Sequence, residues 1–204
     1  MVSVPHRTCG LPVRYMDQDE RRGLLARCLD EEAWPVRSRL AGALVLLFGL
    51  PATQIRHLRT DQVRIEDGHT YLDLDTHALF IPPKLAVLLH RQVSDPYVPL
   101  GTLAPEPERV WLFPGGLPGM PVTPARMSEW FADMGMAARP ARNAALVALL
   151  ADLPAPILAE LVGMHVSTAT RWASIARREW SDYLAAHAET VSPFWARNPT
   201  TPSP

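Results

Sequence analysis

Residues 139–183 read RPARNAALVALLADLPAPILAELVGMHVSTATRWASIARREWSDY. The run breaks at Pro154 and again at Gly163, and each piece has helical spacing of its apolar positions. The pattern predicts helices over Pro140–Leu150, Pro154–Val162 and Ser167–His187. Leu158, Ala159, Val162, Met164, Ala169 and Trp172 occupy the buried positions of a helix-turn-helix. A small residue at Ala159 lets two helices approach, and Gly163 supplies a tight turn with positive φ. Ser167 is the expected cap of the second helix. Thr168, Thr170 and Arg171 then face outward near its start, with Arg177 and Arg178 further along. From Met164 to Arg178 the chain holds three arginines and no acid. That local charge suits a duplex phosphate backbone. A structural helical hairpin with a solvated arginine face fits the same residues.

Going outward from this stretch, the 204-residue chain has the length of one domain or of a domain with an appendage, long enough to bury a core. Its net charge of -1 is not that of a strongly basic nucleic-acid binder, so any phosphate contact must be local. Proline, at 21 residues, is about twice its usual share and implies short elements with stiff connections. Cys9 and Cys28 lack metal-ligand spacing and read as reduced thiols. The longest apolar run, 40–51, falls short of a membrane span, and the N-terminus lacks a signal-peptide core. A cytoplasmic location is expected, with no metal, no small-molecule cofactor and no membrane partner.

Before the organising stretch the pattern is mainly helical. Asp17 is placed to cap a helix starting near Gln18, with Leu24, Leu25, Cys28 and Leu29 on one face. Trp34 to Phe48 reads as a core helix ended by Gly49. Thr70–Leu74 and Ala78–Ile81 read as a β-hairpin, and the Asp67-Gly68 turn adds a strand over Val63–Glu66. A helix follows from Lys84 to Val93, then a loop, an extended segment over Arg109–Phe113 and a turn over Pro114–Pro121. Thr123 caps a helix through Met134. The fold class expected is mainly α with a small antiparallel β-sheet (α+β). Residues 1–16 are expected to form an irregular arm, 17–188 the core domain, and 189–204 a disordered Pro-rich tail.

Two boxes resemble the catalytic domain of tyrosine recombinases and phage-type integrases, and are most similar to divergent actinobacterial members. The first is Leu46-Leu47-Phe48-Gly49-Leu50-Pro51-Ala52-Thr53-Gln54-Ile55-Arg56-His57-Leu58, similar to the family's L-x-T-G-L-R-x-x-E-L-x-x-L. The second joins Arg139-Pro140-Ala141-Arg142 to Leu161-Val162-Gly163-Met164-His165, similar to H-x-x-R and L-G-H. The resemblance covers roughly residues 20–187. It implies a recombinase catalytic-domain fold whose helix-turn-helix-like hairpin lies at the C-terminal end. The separate DNA-clamping domain that active members carry ahead of it is not expected in the short stretch before residue 20.

In that family a tyrosine hydroxyl attacks a DNA phosphodiester. Two arginines hold the non-bridging oxygens, a lysine and a histidine move protons, and no metal takes part. Here the first arginine position holds Pro51, and the acid three residues later is Gln54. The hairpin region Asp75 to Ala78 has no lysine. The histidine of the second box is Arg139. The second arginine remains as Arg142, and a later histidine remains as His165 or is replaced by Met164, depending on a one-residue gap. The nucleophile position falls on Trp172, Ala173 or Ser174, and Tyr183 lies about three turns later. The resemblance therefore implies a catalytically degenerate protein of the recombinase type, acting in DNA recombination or integration or as an accessory to active recombinases. Arg142 and His165 are the catalytic remnants. Arg139, Arg142, Ser167, Thr168, Thr170, Arg171, Arg177 and Arg178 are the candidate DNA contacts. Double-stranded DNA is the expected partner, with other recombinase subunits a further one. A helix-turn-helix transcriptional regulator and an active strand-transferase with a displaced nucleophile stay open as alternatives.

Overall fold

The computed structural model describes residues 15–74, 77–95, 111–117 and 119–188, and the side chains of these up to Arg177. The chain enters its core through α1 (Gln18–Asp30), where the Asp17 carboxylate accepts from the Asp19 and Glu20 amides at 2.9 and 3.4 Å. Leu24 and Cys28 are its buried positions. The centre of the fold is α2 (Val36–Phe48), in which Ser38 to Leu46 are all buried. A helix apolar on every face has to be covered on every face. Accordingly α2 packs on α1, on α4 (Pro83–Ser94), on α5 (Pro124–Asp133) and on α6 (Ala138–Asp152). Gly42 permits close approach here: a Cβ there would stand 2.9 Å from Met134 Cε and 3.0 Å from Cys28 Sγ. Buried Arg39 turns inward and donates to the carbonyls of Cys28 and Leu29, at the carbonyl-rich end of α1.

Gly49 ends α2 with φ of 65°, a left-handed conformation that glycine adopts without a Cβ clash. The chain then turns through the short helix α3 (Ala52–Ile55) into an antiparallel sheet in the order β1-β2-β3. Its strands are β1 (Val63–Glu66), β2 (His69–Leu74) and β3 (His77–Ile81). Asp67 and Gly68 join the first two, both with positive φ, as a two-residue hairpin turn requires. Thr70, Leu72 and Leu74 with Leu79 and Ile81 give the sheet its buried face. Leu72 pairs with Leu79 and Thr70 with Ile81, so the buried residues of β2 and β3 share one side.

Beyond α4, the segment around Trp111 is held by an isolated bridge to Arg59 and by Leu112 N–H donating to the Leu58 carbonyl at 2.8 Å. Of the extended segment expected over Arg109–Phe113, 111–113 are described, and Leu112 and Phe113 there form a bend. Thr123 caps α5, its hydroxyl accepting from the Arg126 amide at 3.2 Å. The helix α6 is two residues longer at each end than its sequence pattern indicates. Pro140 therefore lies in its first turn, where a missing N–H costs no helical bond. Then come α7 (Ala155–Val162) and α8 (Val166–Ala188), joined by Gly163, Met164 and His165.

The expected arm ends inside the core. Met16 is buried, its N–H donates to the Pro140 carbonyl at 3.4 Å, and the Tyr15 ring meets Trp172 edge-on at 6.5 Å. The earlier arm residues and the Pro-rich tail lie outside the described residues. Among the described residues no helix is long and apolar enough to cross a membrane, and no cluster of three His, Cys, Asp or Glu is placed to hold a metal.

Candidate nucleic-acid interface

Arg142 lies in the second turn of α6 and is half-buried. Its Nε donates to the Gly49 carbonyl at 2.9 Å, so the second box closes on the first. This is the partner the arginine takes, in place of the acids Asp133 or Asp152 that a simple surface pairing would use. Burial lowers its pKa from the ordinary arginine value, and the charge of Arg139 lowers it further. Arg139 itself is exposed, one turn earlier on the same helix. Two like charges, one of them desolvated, form a position that an anion would stabilise.

The α7–α8 junction is a tight turn between two helices, built from its glycine outward. Gly163 has φ of 65°, and the N–H of Met164 reaches back to the Ala159 carbonyl at 2.9 Å, closing the end of α7. Leu158, Ala159, Val162, Ala169, Trp172 and Ala176 are buried between the helices. Trp172, one of the three positions where the resemblance places a nucleophile, is 9% exposed and belongs to the hydrophobic core.

The cap of α8 differs from expectation. The helix starts at Val166, one residue before the expected first turn, and His165 takes the capping place in front of it. Its Nδ1 accepts from the Ser167 amide at 3.2 Å and lies 2.7 Å from the Ser167 hydroxyl. Its carbonyl accepts from Thr168 and Ala169. Accepting at Nδ1 needs a lone pair there, which puts the ring proton on Nε2. Ser167 is thus the donor in the cap. A histidine ring nitrogen does the work usually done by a serine or aspartate oxygen, which is why sequence inspection favours Ser167.

The remaining candidates lie on the outer side of α8. Ser167, Thr168, Thr170, Arg171 and Arg177 are exposed; Arg178 is in the helix, with its side chain outside the description. Thr170 donates to the Val166 carbonyl at 3.0 Å and Ser174 to the Arg171 carbonyl at 2.7 Å, so both hydroxyl hydrogens are turned back on the helix. Tyr183 lies in α8 beyond the described side chains.

Other charged groups near the first box are used structurally. Arg56 donates to the Val122 carbonyl at 3.0 Å, His57 bonds to Thr53, and Arg59 forms a two-point ion pair with Asp61. Gln54 faces the hairpin: its Nε2 is 3.8 Å from where a Cβ on Gly163 would lie. A contact the sequence does not announce joins the sheet to α7, where His77 Nε2 stands 3.5 Å from a Glu160 carboxylate oxygen. His77 opens β3, within the Asp75 to Ala78 stretch where the family resemblance seeks a lysine.

This arrangement of a buried helix, a three-stranded sheet and a closing helical hairpin is the tyrosine-recombinase catalytic-domain fold. Three solved structures carry the comparison. The XerH site-specific recombinase bound to difH substrate in a pre-cleavage complex has a TM-score of 0.57 and 15% identity, covering 78% of this chain and 49% of that one. XerH bound to palindromic difH in a post-cleavage complex has a TM-score of 0.61 and 14% identity, covering 84% and 52%. The XerA recombinase has a TM-score of 0.60 and 14% identity, covering 89% and 66%. The chain thus spans about half the length of the XerH structures it resembles. Neither a protein-family model nor a curated protein sequence matches it.

Proposed function

We propose that this chain binds double-stranded DNA through a recombinase-type frame and has lost the strand-cleaving reaction. It serves DNA recombination or integration, alone or beside active recombinase subunits. The observation that carries the reading is the juxtaposition of the second-box arginine with the first box. Arg142 reaches Gly49 and stands beside Arg139, while Pro51 and Gln54 follow in place of an arginine and an acid. An arginine pair without its partner clamp, lysine and nucleophile still attracts phosphate but cannot drive in-line displacement, because these groups act as a unit. The outer face of α8, with Arg171 and Arg177, supplies a second set of contacts. XerH, which this fold resembles, is bound to its difH substrate in both solved complexes, which supports the same reading.

The test is a duplex titration at several salt concentrations. A log-log slope clearly below zero supports backbone binding, and a slope near zero removes it. Arg171→Ala is expected to weaken binding by about 1–3 kcal/mol if it reads a base edge. Incubation with a nicked suicide duplex tests the lost reaction: no covalent adduct is expected. An adduct that disappears in Tyr183→Phe would instead establish an active enzyme with a displaced nucleophile.

A further inference from the structure

The sheet ends at β1, and among the described residues no strand pairs with its outer side. The Asp67-Gly68 turn decides which backbone groups lie there. A two-residue turn is closed by a hydrogen-bonded pair, here Glu66 with His69, and bonded and non-bonded pairs alternate along an antiparallel ladder. Arg64 and Tyr71 form the next bonded pair, so Val63 and Ile65 turn their N–H and C=O away from β2. The Val63 N–H agrees, since it donates back to the Thr60 carbonyl. Ile65 stands opposite Thr70, on the side of the sheet where Thr70, Leu72 and Leu74 are buried, yet it is 65% exposed. An exposed branched apolar residue on an open edge is a template for another strand.

The independent observation is the order of charges. Arg64 and Glu66 flank Ile65, are exposed, lie on the other side of the sheet and pair with each other. Run in the opposite direction, Arg-Ile-Glu becomes Glu-Ile-Arg. A second copy laid antiparallel along β1, with Ile65 opposite Ile65, sets each Arg64 opposite the other copy's Glu66. A slip of two residues either way sets Arg64 against Arg64 or Glu66 against Glu66, which like charge disfavours. The strand is complementary to itself in one register.

We infer that β1 pairs edge to edge with β1 of a second copy of this chain, joining two three-stranded sheets into one of six strands. The two Ile65 residues exchange their outward N–H and C=O groups as a bonded pair and lie side by side on the core side of the sheet. On the other side each Arg64–Glu66 pair stays as it is and gains an oppositely ordered pair across the junction. Four residues from each copy bury little surface, so the association is weak and reversible. It does not depend on DNA binding and leaves the α6 arginines and the α8 face uncovered.

The test is sedimentation velocity of the full chain without DNA, from about 1 µM to 1 mM. The parent is expected to shift from monomer to dimer over this range. Ile65→Lys, which puts a charge at the centre of the junction, is expected to stay monomeric. Arg64→Glu and Glu66→Arg are each expected to stay monomeric alone, because every cross-strand pair is then of like charge. Their equal mixture is expected to dimerise, because each variant sets unlike charges against the other. The pair within each strand stays broken in that mixture, so its recovery reports contact between copies. Circular dichroism shows that the variants are folded. A parent that remains monomeric, a dimer that survives Ile65→Lys, or a mixture that behaves as its separate components overturns the proposal.

Discussion

Arg142 donates to the carbonyl of Gly49 at 2.9 Å, across 93 positions of sequence. One side chain thereby does two jobs. It closes the carbonyl end of the central helix, and it brings a cation to the junction of the two boxes.

The two jobs can be separated by comparing Arg142 with Arg139. Arg142→Gln is expected to lower unfolding free energy by about 1–3 kcal/mol, since a buried carbonyl loses a charged donor. Arg139→Gln, at an exposed position, is expected to stay within about 0.5 kcal/mol of the parent. Both are expected to make the salt dependence of duplex binding shallower, by about one unit of slope for each lost phosphate contact. Urea unfolding and a salt-series titration check this. A stability loss for Arg142→Gln with unchanged slope would leave that arginine purely structural.

Two of the left-handed glycines, Gly49 and Gly163, make different demands. At Gly49 a Cβ would stand 2.8 Å from Leu146 Cδ2, whereas at Gly163 the nearest atom is Gln54 Nε2 at 3.8 Å. Gly163→Ala should cost only the backbone penalty, about 1–2 kcal/mol. Gly49→Ala adds the displacement of a fully buried leucine and should cost measurably more. Equal shifts in the unfolding midpoint would contradict this.

For the cap of α8, the prediction is a rescue. His165→Ala is expected to destabilise by about 0.5–2 kcal/mol, and His165→Asn, with another short acceptor, to restore most of it. Thermal unfolding of the pair decides, and a rescue by neither residue would deny the ring a capping role. Ser167→Ala should cost less than His165→Ala, because the backbone amide of residue 167 stays in place.

Burial raises the Cys28 thiol from 9.0 to about 11, against smaller opposing effects of Arg39 and Arg27. Between these two pH values the unfolded chain has lost the proton and the folded chain keeps it. Stability contributed by this group is therefore full below pH 9 and falls as pH rises toward 11, by about 3 kcal/mol in all. Urea midpoints at pH 8 and pH 10.5 are expected to converge when Cys28→Ala is compared with the parent. A difference independent of pH would refute the linkage.

Much of the scaffold is legible in the residues because local rules and tertiary demands agree. Asp17 and Thr123 cap the helices they precede, Gly49 and Gly163 take left-handed turns, and Asp67-Gly68 joins two strands as its composition indicates. The cap at His165 is not legible, since a ring nitrogen is an unusual acceptor and Ser167 offers the ordinary one. The contact of His77 with Glu160 and the docking of Met16 on Pro140 are invisible for another reason. They join parts of the chain that no local period relates. For the candidate site, motif spacing locates Arg142 but does not reveal that its Nε is committed to a backbone carbonyl.

The covering of α2 also sets the order in which the molecule can be completed. Its buried face needs α6 from the far half of the chain, and Gln18 on α1 donates to the Ala144 carbonyl 126 residues away. During synthesis this central helix must therefore wait, with only its earlier neighbours, until residues near 150 have left the ribosome. A nascent chain stopped before α6 carries an open hydrophobic seam and is a natural client for a holdase chaperone. Closing that seam ties completion of the core to the second box, which acts as a folding latch.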